Sequence, residues 1–249
     1  YAYESRALAY FNLNRLDEAE EDYKTILDKY VTSRVANSAL LGLQNTLKLN
    51  GKVLEFDKYL ARYRNANPDN ESLENIELEA AKNLYISQEY NAAIGAFEEY
   101  EKNYPDSPLK EQAKFYRAES YYRQGELEKG LDLYYELDRS AQINDMDVVF
   151  QRIGELQLEN GDFQEAVNYY SKLESIAKSK RQENDAWVGL LDAHFKLGNY
   201  DEMREYANNI ITKGGISIDA THRAQLYLGK SAFSEGDFDK AIDQLLNTV

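Results

Sequence analysis

The chain has 249 residues, a formal net charge of −15, 29% charged residues and 43% hydrophobic residues. This balance is that of a folded chain, and the excess of acid disfavours sequence-independent binding to nucleic acid or to anionic lipid. Cysteine is absent, which excludes disulfides, thiolate metal sites and a cysteine nucleophile. No apolar stretch approaches the roughly 18 residues of a membrane span, and no signal peptide is visible.

A short pattern recurs seven times along the chain. It consists of a turn residue, a polar residue, an apolar residue and an acidic or polar pair, often followed by Ala, as in Asn14–Ala19 (NRLDEA). The first residues of the seven occurrences are Asn14, Gly51, Gln88, Gly125, Gly161, Gly198 and Gly236. They are separated by 37, 37, 37, 36, 37 and 38 residues. So constant a step is the signature of a repeat architecture.

Each turn is flanked by helical periodicity. Before Gly125, apolar residues fall at i, i+3, i+6 and i+7, namely Phe115, Ala118, Tyr121 and Tyr122. After it come Leu127, Leu131, Tyr134, Tyr135 and Leu137. Both runs predict amphipathic helices. Glycine at the turn ends the first helix in a left-handed conformation, and an acidic residue just after it caps the second. We therefore predict that each unit is a hairpin of a first helix, helix A, and a second helix, helix B.

The prolines support the same repeat. Pro68 and Pro105 lie 37 residues apart, each 17 residues after its turn residue, where helix B should stop. Pro108 falls in the entry to the next helix. The looser links Ser140–Asp147 and Lys213–Asp219 are too brief to separate domains. We expect one array over residues 1–249, with the approximate units 1–33, 34–70, 71–108, 109–144, 145–181, 182–219 and 220–249. Because the chain starts at Tyr1 inside a helical pattern, we interpret it as a piece of a longer protein.

The units resemble tetratricopeptide repeats over the whole chain. The small position of helix A is filled by Ala7, Ala81, Ala118, Gly154 and Gly229. The Ala position of helix B is filled by Ala19, Ala93, Gly130, Ala166 and Ala241. The later aromatic of helix B is Tyr23, Phe97, Tyr134 and Tyr170. The resemblance implies an all-α fold, a right-handed superhelical solenoid of antiparallel helical hairpins. The paired small residues would let helices A and B approach closely.

Repeats two and six depart from this pattern in a paired way. Gln44 faces Phe56 in repeat two, and Leu191 faces Met203 in repeat six, so both members of the close-contact pair have grown. We expect the two helices to splay apart in these hairpins. A looser resemblance to bacterial cell-envelope members of the family rests on Tyr104–Pro108 (YPDSP), followed by Ala113, Tyr116, Ala118 and Tyr121. It favours a periplasmic or cell-envelope location, with the cytoplasm as the alternative.

No arrangement of residues predicts catalysis. The two histidines, His194 and His222, are far apart in sequence. His194 falls at an aromatic slot of helix A, which predicts a core or half-buried role, whereas His222 is predicted to be exposed. Clustered metal ligands are not seen, and the many carboxylates are expected on solvated helix faces. We therefore predict a protein that is not an enzyme and holds neither metal nor cofactor.

The resemblance implies that helix A lines a concave face on which family members bind peptides. The candidate partner-binding residues are Phe11, Lys48, Lys82, Tyr85, Phe115, Glu119, Tyr122, Glu155, Asp192, Phe195, Lys230 and Phe233. Rigid aromatic side chains beside specific charges are typical of interface hot spots. The alternative is that these rings only pack on the neighbouring hairpin. The Lys and Asn clamp of chaperone-binding members is not supported, because Leu41 and Glu79 occupy two of its positions.

Three classes of function remain open at this point. The leading one is a scaffold or adaptor that binds a protein or peptide segment on the concave face. The second is a structural module that self-associates through the ends of its solenoid, since both ends are expected to expose apolar faces. The third is a helical-repeat reader of RNA, which the acidic charge and the lack of basic rows disfavour.

Overall fold

The computed structural model describes residues 1–214 and 217–246, and within these ranges the chain contains helices and turns but no strand. The helices are α1 (Ala2–Asn12), α2 (Leu16–Lys29), α3 (Ala36–Leu49), α4 (Phe56–Ala66), α5 (Leu73–Ile86), α6 (Tyr90–Asn103), α7 (Lys110–Gln124), α8 (Leu127–Ser140), α9 (Met146–Asn160), α10 (Phe163–Ile176), α11 (Lys180–Leu197), α12 (Tyr200–Asn209), α13 (Ile218–Glu235) and α14 (Phe238–Leu246). A 3₁₀ turn, Val53–Glu55, precedes α4, and a π-helical turn, Ile210–Gly214, follows α12.

The chain divides into two compact units, Tyr1–Gly130 and Leu131–Val249, which we call unit 1 and unit 2. Within each unit consecutive helices pair as predicted, α1 with α2, α3 with α4 and α5 with α6 in unit 1, and α9 with α10, α11 with α12 and α13 with α14 in unit 2. The predicted all-α fold built from helical hairpins is confirmed. Helix α8 begins in unit 1 and ends in unit 2.

The turn residues of all seven hairpins adopt the left-handed conformation. Five are glycines, and the other two are Asn14 and Gln88, with φ of 56° and 64°. At every one of these turns the next residue donates its backbone N–H to the carbonyl oxygen five residues earlier, as Arg15 does to Tyr10 and Glu89 does to Leu84. This is the hydrogen bond of the Schellman motif, which satisfies a carbonyl left open by the end of the helix.

The predicted starts and stops of the helices agree with the structure. Helices α4 and α6 end two residues before Pro68 and Pro105, and α7 begins two residues after Pro108. An acidic N-terminal cap is present where Asp162 and Asp237 each accept the backbone N–H three residues further on, at 3.2 Å. The predicted link Lys213–Asp219 includes residues 215–216, and the last predicted unit includes residues 247–249. Both stretches lie outside the described residues.

The core of unit 1 depends on small residues at helix contacts. Ala7 and Ala19 are fully buried where α1 meets α2, and Ala81 and Ala93 are fully buried where α5 meets α6. Gly42 was not anticipated as such a position. Its backbone lies so close to the ring of Tyr23, on the helix B before it, that a Cβ there would overlap the ring. Glycine therefore lets an aromatic side chain of one repeat enter the next.

Glycines make room for a tyrosine ring in unit 2 as well. The ring of Tyr170, on α10, lies against Gly154 of α9 and Gly189 of α11, and a Cβ at Gly154 would come within 2.8 Å of that ring. In repeats two and six, the close-contact pair consists of large residues. In both repeats a glycine two residues before the helix A member of that pair makes room for a Tyr ring of the preceding repeat. In repeat six Leu191 and Met203 are both fully buried, so the larger pair fills the core there. In repeat two Gln44 and Phe56 both line a cleft on the protein surface.

Candidate functional site

In unit 1 the helix A residues are held by contacts within the chain. The hydroxyl of Tyr85 donates to Glu119 Oε2 at 3.4 Å, and its ring packs edge-on against Tyr116 with centroids 5.4 Å apart. Burial, with the charge of Glu119, raises the pKa of Tyr85. Lys82 is ion-paired with Glu79 at 2.6 Å. These side chains form an ordered surface whose polar atoms already have partners.

Two of the predicted unit 1 residues are buried in the structure. Phe115 is 7% exposed and Glu119 is 4% exposed, so neither presents a free surface to a partner. Both lie on α7, where the ring of Phe115 packs edge-on against Tyr116 and Glu119 accepts the Tyr85 hydroxyl. Their periodicity placed them on the right helix, but the tyrosines around them cover them.

The remaining predicted residues of unit 1 differ in accessibility. Phe11 is half-buried and packs against the core cluster of α1 to α5. Tyr122 is also half-buried, and Lys48 is exposed at the last turn of α3. Lys82 Nζ lies 5.7 Å from the centroid of the Tyr116 ring, a cation–π distance. The unit 1 face is therefore aromatic and only partly open.

In unit 2 the helix A residues line a real hollow. Its volume is about 430 Å³, and it is lined by residues of α9, α10, α11 and α13 together with Ser217. Two predicted residues, Glu155 and Asp192, belong to its lining. Five carboxylates and one guanidinium line it, namely Glu155, Glu159, Asp185, Asp192, Asp219 and Arg223. The hollow therefore carries a strong excess of negative charge.

The charges of the hollow are only partly compensated. Arg223 donates to Asp192 Oδ2 at 2.8 Å and to Asp219 Oδ2 at 3.2 Å. Burial raises the pKa of Asp185, and the like charge of Glu155 adds to the rise against the opposing effect of Arg181. A raised carboxyl pKa means that the fold disfavours the ionised form. A cation entering the hollow would relieve this repulsion.

Two side-chain oxygens of residues lining the hollow are buried without a hydrogen bond from the described residues, Oδ1 of Asn184 and Oδ1 of Asp192. Asn184 lies at the first turns of α11, among the residues that line the hollow. An unsatisfied buried acceptor costs stability, so an N–H donor that reached the Asn184 oxygen would relieve that cost.

Aromatic side chains of α11 and α13 lie beside the hollow. The rings of Phe195 and Tyr227 are stacked, with centroids 4.0 Å apart and an interplanar angle of 6°. Lys230 Nζ lies 5.7 Å from the centroid of the Phe195 ring. Burial, with the charge of Asp192, raises the pKa of Tyr227 to about 12. Phe233 is 63% exposed, and its ring meets Phe238 edge-on at 5.4 Å.

Sequence reasoning missed several residues of this hollow. Asn184, Asp185, Asp219 and Arg223 all lie early on α11 or α13, which have 18 residues each, whereas α5 has 14 and α9 has 15. The extra helical turn adds one more row of side chains to the same face. The signal was available in the sequence, because Asn184 precedes Val188 by four residues and therefore shares its face.

The two histidines are placed as predicted. His194 is buried, its ring stacks on Tyr206 at 5.8 Å, and burial lowers its pKa. His222 is exposed. Among residues 1–214 and 217–246, no group of three or more His, Asp or Glu side chains is arranged to hold a metal ion. None of the helices in these ranges is long and apolar enough to cross a membrane.

These hairpins define a helical-repeat protein, and its sequence identifies the family. A profile described as Tetratricopeptide repeat matches residues 78–142 and 152–214, and a second profile of the same description matches residues 1–28. The chain belongs to the tetratricopeptide repeat family. Among curated proteins, none matches this chain in sequence. Members of the family are typically non-catalytic scaffolds that bind proteins or peptides.

Solved structures of the family share the fold. The apo form of RapI superposes with a TM-score of 0.55 at 12% identity, covering 99% of this chain and 72% of RapI. PilF of Pseudomonas aeruginosa gives 0.54 at 12% identity, covering 88% of this chain and 94% of PilF. A tetratricopeptide repeat protein from Parabacteroides merdae gives 0.51 at 14% identity, covering 98% of this chain and 89% of that protein. At these identities the likeness concerns the fold alone.

Proposed function

We propose that the chain is a protein-binding scaffold or adaptor, and that the acidic hollow of unit 2 takes a basic segment of its partner. The family supports a scaffold in general. The observation that carries the finer proposal is the lining of the hollow, with five carboxylates and one guanidinium. Lys or Arg side chains of a peptide would be attracted to such a site from a distance and held within it.

Two further features support a peptide as the occupant. The unpartnered Asn184 Oδ1 is suited to accept a backbone N–H or an ammonium group. The stacked pair Phe195 and Tyr227 offers a rigid apolar surface beside the charges, which costs little conformational entropy when a partner binds. A basic residue flanked by an apolar one would use both surfaces together.

A direct titration tests this proposal. The probe is a fluorescein-labelled acetylated heptapeptide with two Lys residues and one Leu, and the control peptide carries Glu in place of Lys. We expect the Lys peptide to bind and its affinity to fall as salt is added. The double variant Asp185→Asn and Glu159→Gln should weaken binding about tenfold, which corresponds to about 1.4 kcal/mol.

A matched variant keeps the net charge change the same. Glu205 and Asp239 are exposed carboxylates of unit 2 outside the hollow, so Glu205→Gln with Asp239→Asn should leave affinity nearly unchanged. If both double variants weaken binding equally, the attraction is a general effect of the acidic surface and the hollow is not the site. Equal binding of the Lys and Glu peptides would also contradict the proposal.

Self-association is the second candidate, and one stripe of α14 favours it. Phe238, Ile242 and Leu246 are exposed and spaced by four residues, so they lie on one side of the helix. An exposed apolar stripe of this kind is a candidate contact with another copy. Light scattering after size exclusion at two concentrations should show a mass that rises with concentration, and Ile242→Asp should return it to 28.7 kDa. A monomer at both concentrations would contradict this candidate.

A further inference from the structure

Unit 1 contains a cleft that the helix A face does not explain. It has a volume of about 460 Å³ and lies between α4 and α6, with α5 at its base. Its apolar lining includes Phe56, Leu60, Ala80, Leu84 and Ala96. Gln44 of α3 and the 3₁₀ turn, through Val53 and Leu54, complete it. A cleft of this size with a mainly apolar floor is within the range of binding sites for small ligands and peptide side chains.

The cleft and the helix A face lie on opposite sides of α5. Ala80 and Leu84 line the cleft, whereas Leu78, Lys82 and Tyr85 form the row assigned to helix A. Residues of a helix advance by about 100° each, so these two sets point in nearly opposite directions. A ligand in the cleft would therefore leave the helix A face of unit 1 free.

Helix α6 presents an unexplained run of small residues to the cleft. Ala92, Gly95 and Ala96 line it, at spacings that place them on one side of the helix. Gly95 lies within the helix at an ordinary φ, and a Cβ added to it would meet no atom within 4 Å. Glycine in a helix interior costs about 1 kcal/mol relative to Ala. No contact within the described residues requires this glycine, whereas Gly42 and Gly189 each make room for a tyrosine ring.

An amide side chain points into the same cleft. Asn83 is 8% exposed and belongs to the lining, yet its side chain makes no hydrogen bond with any described residue. The residue is largely covered, but its amide atoms are not enclosed and remain open to a partner in the cleft. The side chain of Asn has one acceptor and two donors, which is the set needed to pair with the N–H and C=O groups of an extended peptide backbone.

The charges at the two ends of the cleft differ. Arg64 of α4 donates to Glu77 Oε1 and to Glu99 Oε1, both at 2.7 Å, and so joins α4 to α5 and α6 at one end. Asp57 lines the cleft near the start of α4, and its carboxylate makes no ion pair or hydrogen bond with the described residues. Because α5 runs antiparallel to α4, Asn83 lies toward the Asp57 end. This end combines a free negative charge with an open amide.

We propose that this cleft is a second peptide-binding site, which takes a short extended segment with a large apolar side chain next to a Lys or Arg. The apolar side chain enters between α4 and α6 over Gly95, the backbone beside it pairs with Asn83, and the cation meets Asp57. The small residues and Glu99 span about 10 Å of α6, which matches about three residues of extended chain. The carboxylates of the lining outnumber Arg64, which favours a basic segment over an acidic one.

A photo-crosslinking titration tests the proposal. The probe is a fluorescein-labelled acetylated hexapeptide with photoleucine followed by Lys at its centre, and its counterpart has Glu after photoleucine. We expect the Lys peptide to bind more tightly and to crosslink to residues of α4 and α6 that line the cleft. Crosslinks confined to unit 2, or no saturable binding at millimolar peptide, would overturn the proposal and leave the acidic hollow of unit 2 to be judged by its own variants.

Two substitutions separate binding from folding. Gly95→Leu should fill part of the cleft, since a Cβ at this position meets no atom within 4 Å, and should weaken binding at least about tenfold, the effect of about 1.4 kcal/mol. Asn83→Leu removes an unpaired amide, so the melting temperature should hold or rise while binding weakens severalfold. A lower melting temperature for Asn83→Leu with unchanged affinity would show that the amide is structural and would overturn the proposal. So would a dimer that Gly95→Leu dissociates, because a second copy would then occupy the cleft.

Discussion

The two hollows of this protein are nearly equal in volume and differ in chemistry. The hollow of unit 2 measures about 430 Å³ and is lined by five carboxylates, whereas the cleft of unit 1 measures about 460 Å³ and has an apolar base. Each is lined by a largely covered Asn: Asn184 in unit 2 has an enclosed side-chain oxygen without a partner, whereas the amide of Asn83 in unit 1 makes no hydrogen bond and stays open to the cleft. Each is also bordered by a glycine in a helix interior, Gly189 and Gly95.

The two glycines explain how the regions differ. At Gly189 the missing side chain is replaced by the ring of Tyr170, so the chain itself uses the space. At Gly95 the space is open. In a repeat array each hairpin must fill the gap left by its neighbour. Between α10 and α11 the ring of Tyr170 fills this gap. Between α4 and α6 no side chain of the described residues fills it. The following substitutions exploit this contrast.

The largest effect on stability is expected for a core residue of α6, one of the helices that line the cleft. Phe97 of α6 is fully buried and stacks on Tyr116 with centroids 5.9 Å apart. Phe97→Ala should therefore lower the free energy of unfolding by about 3–5 kcal/mol. Because stability in repeat proteins is largely local, hydrogen exchange should rise in unit 1 before unit 2. The exposed Phe233→Ala is the control and should change stability by less than about 0.5 kcal/mol. Equal loss in both variants would show that Phe97 is not a core residue.

The second effect concerns the filled glycine. Gly189→Ala would place a methyl group inside the Tyr170 ring, so that ring or α11 must move. We expect a loss of about 1–3 kcal/mol, the usual cost of overpacking, measured by urea denaturation. Adding Tyr170→Leu should restore part of that loss, because the two changes act at one contact and are not additive. If the losses simply add, the contact does not explain the glycine.

These contacts also mark what the sequence could predict. The seven turns were predictable because a left-handed residue must end each helix A, and Asn14 and Gln88 take that conformation although neither is glycine. The hairpins follow from the same spacing. The entry of Tyr23 over Gly42 and of Tyr170 over Gly189 was not predictable, because it joins side chains of different repeats at a distance set by the tertiary packing.

The candidate site was predictable only by helix and by face. Glu155 and Asp192 do line a hollow, while Phe115 and Glu119 are covered by neighbouring tyrosines. Periodicity predicts the direction of a side chain but not which neighbouring side chains cover it. One feature of the sequence pointed indirectly to the cleft of unit 1. In repeat two the close-contact pair is enlarged to Gln44 and Phe56, and both residues line the cleft. Its open side depends on the separation of α4 from α6, which no local pattern encodes.

A smaller effect of opposite sign is expected at the open glycine. Gly95→Ala adds a methyl group that meets nothing within 4 Å, and Ala favours the helix. The free energy of unfolding should rise by about 0.5–1 kcal/mol. Measuring this variant beside Gly189→Ala compares two Gly-to-Ala changes in helix interiors, one in each unit. A loss of stability at Gly95 would mean that the glycine has a structural role, and the contrast between the two hollows would fail.

The smallest effect concerns the charge of the unit 2 hollow. Burial and the charge of Glu155 raise the pKa of Asp185, so the folded state binds its proton more tightly than the unfolded state does. The favourable contribution of this group is complete below its unfolded pKa, about 3.9, and is lost as the pH rises through the higher folded value. Asp185→Asn should thus be slightly more stable than the parent chain at pH 7, and the difference should vanish as the pH falls toward 4. A difference that grows on acidification would show that Asp185 is stabilised as the anion, and the hollow would then have no unrelieved charge with which to attract a basic segment.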